Sequence, residues 1–532
     1  MKRLMSSVAV ALGATTICCL WFVSPLISPT HSTIYHWSGK PSALFVPTIV
    51  DFCIVWLLLT LLFFAAQGPG RRCIAVWSGI TLFLPWIVLK NYAVLTSWNM
   101  PHWISYGTFG ICLTAFLAVM VLWQPEHQLA LERTQRFMTT VLRFSAVYGL
   151  LVLSQLLWFG WAARSLNTAL PLHTANPVSA QGKGIRPRVI WILFDELSYQ
   201  QVYEQRFHGL ELPAFDRLAT ESAVFTHVVP AGIMTEVVLP SLMTGVPVDK
   251  IRSSADGQHL SLHNPELNRW QQFDQHSTVF QDALNKGYRT GIAGWYNPYC
   301  RILPQVLDQC FWRFDSVASN RMLSYGSVVV NALQPFMIGP MLKDRLPSKL
   351  FGIPESELSS SLHISDYQTI FTAADHLIED PSATFIFLHM PVPHPDGIYN
   401  RATGRFALRD SSYIDNLALA DKYLAHVRSL LELQGQWDSS AVVIMGDHSW
   451  RTKLFWASSP DWTSEEQAAS HGGQFDDRPG FIVKLPNQHT GGRIDTPFVA
   501  VNTRKLFDAI TSNQIGSAET LSSWVAKLPQ KH

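Results

Sequence analysis

Charge is scarce in this sequence. Asp, Glu, Lys and Arg make up 15% of its 532 residues, while apolar side chains reach 48%; an ordinary soluble domain carries roughly a quarter charged residues. The formal charge of +1 and the lack of any basic stripe exclude a nucleic-acid-binding surface. Cysteine is scarce as well. Cys18, Cys19, Cys53, Cys73 and Cys112 lie in or beside apolar runs, which leaves only Cys300 and Cys310 for the rest of the chain. With no Cys/His pair nearby to complete a metal site, these two are expected to bond to each other in an oxidising compartment.

What the sequence has instead is long apolar runs, near 7–27, 44–66, 73–95, 105–123 and 140–163. Each approaches the roughly 20 residues that cross a bilayer as a helix. The first follows Lys2 and Arg3 like a signal peptide, but it is long, contains Trp21 and Phe22, and lacks a clean small-residue cleavage site. It is therefore read as a retained span, giving five. Lys2 and Arg3, Arg71 and Arg72, and Arg133, Arg136 and Arg143 then fall on one side, with little beyond Lys40, Lys90 and Arg164 on the other. The excess of positive charge predicts a cytoplasmic N-terminus and an outer location for everything beyond about residue 165. Asp51 and Lys90 sit near predicted outer ends, where snorkelling accounts for them.

Residues 166–187 are polar, Gly- and Pro-containing and aperiodic, the pattern of a linker. The expected organisation is a helical membrane region at 1–165, this linker, and an outer domain at 188–532. In the outer domain, β-rich runs at 188–194, 289–293, 384–388, 441–445 and 480–484 alternate with amphipathic stretches near 211–222, 274–287 and 411–436. Continuous apolar strands separated by helices predict an α/β fold, with a mostly parallel sheet covered on both faces. In such sheets, ligands bind beyond the carboxyl ends of the strands.

Polar chemistry stands at those ends. Asp195 and Glu196 follow the run VIWILF, and Asp447 and His448 follow AVVIMG. A carboxylate with an imidazole suits zinc or manganese, although a strand-end carboxylate can also cap the next helix; capping is the reading preferred for Glu196. In PAGIMTEVVLPSLMTG, Thr235 is expected to open a short helix, whose N-terminus favours an anion. Coordination to a metal would make its hydroxyl nucleophilic, while threonine is also a good N-cap. Local context leaves both open.

The outer domain resembles the alkaline-phosphatase/sulfatase superfamily along most of its length. LPAFDRLATESAVFTHV is similar to the family's Pro-x-x-Asp-x-Leu-Ala helix and following strand, and NKGYRTGIAGWY to its Gly-Tyr-Arg-Thr segment. Asp195 and the pair Asp447–His448 match the family's metal ligands. Thr235 stands ten residues before Gly245, the place of the sulfatase modified Cys and of the nucleotide pyrophosphatase Thr, and five before Pro240, the place of the nucleophile in lipid-A phosphoethanolamine transferases. Those transferases and the lipoteichoic-acid synthases also carry five membrane helices before an outer catalytic domain. Their Leu-His-x-x-x-x-His-x-Pro segment resembles FLHMPVPHP, which gives His394 the place of a substrate- or second-metal-binding His. YIDNLALADKYL is similar to their next helix, and His471 looks like the family's last His.

Departures narrow the resemblance. Val237 and Leu239 replace the Pro and Arg of the Cys-x-Pro-x-Arg context, and no Cys or Ser heads it, so formylglycine chemistry is not expected. Trp295 and Asn297 replace the Lys and His that hold sulfate. The transferases' Cys-Gly-Thr-x-Thr context and several disulfides are missing. The resemblance implies a metal-dependent enzyme with Thr235 as nucleophile and zinc or manganese on Asp195, Asp447, His448 and the Thr235 oxygen. The expected reaction moves a phospho-head group, phosphoethanolamine- or phosphoglycerol-like, from a membrane lipid donor to an envelope glycan or lipid acceptor. Its site is the outer face of a bacterial inner membrane. A hydrolase of phosphate or sulfate esters and a non-catalytic scaffold are the competing readings. Acceptor-specific residues are expected in 246–273 and 296–360.

Overall fold

The computed structural model describes residues 2–27, 35–36, 42–165, 186–314 and 355–529, apart from 69, 97, 99, 255–256, 258 and 460. The expected linker at 166–187 therefore lies almost wholly outside the described residues, as does much of the expected loop at 296–360. The chain forms two compact units, one holding Met1–Asn167 and the other most of the C-terminal remainder.

The first unit consists of helices α1 (Lys2–Ile27), α2 (Ser42–Ala65), α3 (Arg71–Leu95), α4 (His102–Leu122) and α5 (Gln128–Ala162). All five are long and apolar enough to cross a membrane. The fifth starts twelve residues before the apolar run that predicted it at 140, because the polar first turns of α5 continue the same helix with good helix formers. Leu57, Leu58, Leu61, Phe64, Ile111, Val121 and Phe144 face outwards, the opposite of a soluble helix, whose apolar stripe turns inward. Leu, Phe and Trp side chains also fill the unit's interior, but small residues mediate the closest helix contact. A Cβ on Gly13 would meet the Leu142 carbonyl oxygen at 1.8 Å, and one on Gly149 the Thr16 Oγ1 at 2.2 Å, so α1 and α5 touch backbone to backbone. Gln67 donates to the Arg3 carbonyl at 2.9 Å and Arg143 to Ser6 Oγ at 2.6 Å, which gathers these basic positions at one end of the helices. Asp51 does not snorkel. It sits nine residues into α2, about 13 Å from its start, is 2% exposed, and neither carboxylate oxygen has a hydrogen-bond partner among the described residues.

The second unit is an α/β sandwich. Its eight central strands are β1 (Val189–Phe194), β2 (Ala223–Phe225), β3 (Thr290–Trp295), β4 (Gln309–Arg313), β5 (Phe385–Met390), β6 (Ala441–Gly446), β7 (Phe481–Lys484) and β8 (Gly492–Ile494). They lie in the order β8-β2-β7-β6-β1-β5-β3-β4. Strands β6, β1, β5, β3 and β4 run parallel, and β7 is antiparallel to both its neighbours. Every residue of β1, β3, β5 and β6 is buried, as a two-faced parallel sheet demands.

Side-chain alternation builds a core on each face. Ile190, Ile192 and Phe194 join a cluster with Phe215, Tyr367, Ile370, Leu417, Tyr423 and Leu431. These come from α6 (Pro213–Ala219), α9 (Glu355–Glu379) and α10 (Tyr413–Leu433). On the other face, Trp191 packs on Phe387 and Phe507 at ring distances of 4.3 and 4.8 Å, beside α7 (Thr235–Thr244), α8 (Val279–Asn285) and α11 (Thr503–Thr511). Helix α9 was not foreseen, although Tyr367, Ile370, Ala374, Leu377 and Ile378 carry its period. Cys300 and Cys310, the pair expected to bond, are joined in a disulfide, with Cys310 on β4.

Candidate active site

The site forms where β1, β5 and β6 end together. Strand register places Phe194 beside both Met390 and Gly446, so the residues just beyond these strands converge although they come from distant parts of the chain. Asp195 and Asp447 are fully buried there, and His448 is 1% exposed. One ligand atom from each lies within 4.8 Å of the others.

Thr235 begins α7, in which every residue except Glu236 is buried. Its Oγ1 donates to Asp447 Oδ2 at 2.7 Å and stands 3.3 Å from both Asp195 Oδ2 and His448 Nε2. The side chain does not cap its helix, since Met234 holds the N-cap position without a side-chain bond. Of the two readings left open for this threonine, the hydroxyl follows the one aimed at the metal-type cluster.

The electrostatics are those of a cation site. Burial would raise the Asp447 carboxyl, but the His448 imidazole beside it and the hydrogen bonds it accepts hold it below the usual carboxylate range. Burial alone would depress His448; the Asp447 carboxylate outweighs that and carries it up to about 9. Asp195 Oδ1 finds no hydrogen-bond donor among the described residues. A buried carboxylate oxygen without a partner is costly, and coordination to a divalent ion would satisfy it. The donor set of two carboxylates, one imidazole and one hydroxyl therefore fits zinc or manganese.

Glu196 neither caps a helix nor remains free to ligate. It is buried with φ of +65°, the left-handed region that non-glycine residues seldom adopt. Its carboxylate accepts from the Arg451 backbone N–H at 3.2 Å, from Arg451 Nε at 2.7 Å and Nη2, and from Trp456 Nε1 at 3.0 Å. Asp195, Glu196 and His394 meet the same proximity measure as the first trio, yet Arg451 already supplies the positive charge there. With His448 neutral, as ligation to a metal requires, three buried carboxylates and one buried guanidinium leave two negative charges, those of Asp195 and Asp447, which match one divalent ion.

His394 lies at the rim, its ring 5.2 Å from those of Trp295 and Trp456. Its Nε2 is 3.4 Å from Arg451 Nη2, and its Nδ1 has no hydrogen-bond partner among the described residues. His471 is not brought to the cluster. It closes the turn after a short helix, with φ of +50° and an exposed side chain. Two neighbours of the site escaped sequence reasoning. Arg451 follows the Asp447–His448 pair, and His389 is the penultimate residue of β5, opposite Leu193. His389 Nδ1 bonds the Tyr299 hydroxyl at 2.7 Å, and its Nε2 stands 3.4 Å from Asp195 Oδ2. The Leu-His-x-x-x-x-His spacing carries a signal for His389, but only the second His was singled out.

A sequence model of the sulfatase family matches residues 187–481, more than half of the chain. No curated protein matches it. Among solved structures, a Pseudoalteromonas sulfatase matches at 14% identity over 64% of this chain and 72% of its own, with a TM-score of 0.41. The phosphonate monoester hydrolase of Agrobacterium radiobacter matches at 12% over 61% and 74% (TM-score 0.35), and the lipoteichoic acid synthase LtaP of Listeria monocytogenes at 14% over 64% and 76% (TM-score 0.35). The assignment to a family rests on the sequence model.

Proposed function

As the chain belongs to the sulfatase family and is an enzyme of that superfamily, we propose that it transfers a phospho-head group, phosphoethanolamine- or phosphoglycerol-like, from a membrane lipid to an envelope acceptor. The observation that carries this reading is the Thr235 hydroxyl, held 2.7 Å from Asp447 and 3.3 Å from Asp195 and His448 at the start of a buried helix. A zinc or manganese ion held by Asp195, Asp447, His448 and the Thr235 oxygen would supply a lowered hydroxyl pKa and charge neutralisation. Thr235 Oγ1 forms the new bond to phosphorus as the bond to the lipid alkoxide breaks. Ligation of Oγ1 to that ion would release its proton to solvent, and His394, a partly exposed imidazole at the rim, protonates the leaving oxygen. An acceptor hydroxyl then attacks the phosphorus from the vacated side and gives its proton to the now neutral His394, as the bond from phosphorus to Thr235 Oγ1 breaks and frees the nucleophile.

The phosphoryl preference is supported at β3. Where sulfate-binding residues would stand, Trp295 donates to Asp366 at 3.0 Å and stacks on His363, and Asn297 is buried; neither brings a positive charge. Hydrolysis of phosphate or sulfate esters by the same residues is the second reading, favoured by the family match itself. The five apolar helices support a multi-pass protein of a bacterial inner membrane with the catalytic unit outside, where the Cys300–Cys310 disulfide would be stable.

The test is mass spectrometry of the purified enzyme after incubation with phosphatidylethanolamine or phosphatidylglycerol. The expected result is an adduct on Thr235 whose mass names the head group. Thr235→Ala should lower turnover by at least about a thousandfold with an unchanged melting temperature. Retained turnover in that variant would sink the scheme, and release only to water would decide for the hydrolase.

A further inference from the structure

Exposed apolar side chains are scattered over the α/β unit, but three gather at the mouth of its site. Ile233, 42% exposed, lies two residues before Thr235; Leu454 and Phe455, 45% and 43% exposed, follow Arg451. The two loops are tied together, since Arg451 Nη1 donates to the Ile233 carbonyl at 3.2 Å and its guanidinium lies 4.9 Å over the Phe455 ring. Segment 451–456 is divided by depth. Arg451, Thr452 and Trp456 turn inward, to Glu196, to the Gln474 carbonyl and to Glu196 again. Lys453, Leu454 and Phe455 are left outside.

Exposed apolar side chains gathered in one place mark an interaction surface. Leucine and phenylalanine beside a lysine is the composition of a segment that rests in a membrane interface, and the lysine favours an anionic surface. The same chain carries five helices able to span a bilayer, so a lipid surface is the partner its tether supplies. We propose that Ile233, Leu454 and Phe455, with Lys453, form a lip that docks on an anionic phospholipid surface and admits the lipid head group to Thr235. This rests on the transfer reading and deepens it: the donor is taken from the bilayer, not from solution.

Two arms keep the failures apart. In the first, the full-length enzyme is reconstituted into phosphatidylethanolamine/phosphatidylglycerol vesicles carrying Phe455→p-benzoylphenylalanine, which keeps an aromatic ring. The control is the same replacement at Leu433, 85% exposed at the end of α10. Photocrosslinking to lipid should be at least tenfold greater at 455 than at 433, and severalfold weaker once phosphatidylcholine replaces phosphatidylglycerol. Equal yields, or cross-links to protein alone, overturn the lip whatever the reaction proves to be. In the second, the Ile233→Ser/Leu454→Ser double variant should lose about tenfold in turnover of vesicle phosphatidylethanolamine while hydrolysing soluble bis(p-nitrophenyl) phosphate within twofold of wild type. A parallel fall in both overturns the proposal. A wild-type enzyme that leaves phosphatidylethanolamine and phosphatidylglycerol untouched sinks the transfer reading, and the first arm still judges the lip.

Discussion

The two units solve opposite burial problems. In the helical unit many leucines and phenylalanines point outward, while Gly13 and Gly149 lie inside, where helices meet at backbone distance. In the α/β unit the large apolar side chains fill the interior, and the buried charges are few and held by partners, among them the group of Asp195, Glu196, Asp447 and Arg451 beyond the strand ends. The contrast comes from solvent. Lipid gives no hydrophobic drive between helices, so close packing of small residues must hold them, whereas water drives the sheet core together. Buried charge is then tolerable in the second unit where it is paired, as Glu196 is with Arg451, where backbone groups solvate it, as the carbonyls of Trp437 and Ser440 do Lys484, or where it can take a metal, as Asp195 and Asp447 can.

That contrast can be broken at three points, from the largest effect to the smallest. Arg451→Met should leave Glu196 charged, buried and unpaired, at a cost of about 3–5 kcal/mol; calorimetry should show much of the loss recovered by adding Glu196→Gln. A double variant no more stable than Arg451→Met would show that the guanidinium is not there to answer Glu196. Gly149→Leu should disrupt the contact of α5 with α1 by about 1–3 kcal/mol, read as a lower melting temperature in detergent. The same change at Gly107, where an added Cβ meets nothing within 4 Å, should be silent; equal effects would mean that α1 and α5 do not pack as described.

The smallest effect is a pH dependence from His363. Burial pushes this imidazole down to about 4, with His394 adding to the shift, although its bond to the Pro391 carbonyl opposes it. The folded state therefore binds fewer protons than the unfolded one between its folded value and the ordinary histidine value of about 6.5. Stability should fall as pH drops through that window, and the fall should be shallower in His363→Gln, which keeps a donor for Pro391. Identical pH slopes in the two proteins would remove His363 from the account.

Much of the fold was legible because it is written in composition. Apolar runs announce the five spans, and β-rich runs bounded by polar residues announce four of the parallel strands and the antiparallel β7. The site was legible in pieces, as strand-end carboxylates and one threonine at two meaningful spacings. Its wiring was not. Glu196 reads as a cap until strand register sets Arg451 beside it from 255 residues away. His389 belongs to the site only because β5 lies next to β1. His471 matched a family position in sequence, but a left-handed turn leaves it in solvent. Asp51 seemed able to snorkel until the start of α2 fixed its depth.

Thr235 is mounted on a helix whose neighbouring turns are buried throughout, save for Glu236. Such a mount cannot swing between two sites. On the transfer reading, donor and acceptor must use one berth in succession, the spent lipid leaving before the acceptor enters. Initial rates at several fixed acceptor levels should then give parallel double-reciprocal lines, the signature of an enzyme that handles its two substrates in turn.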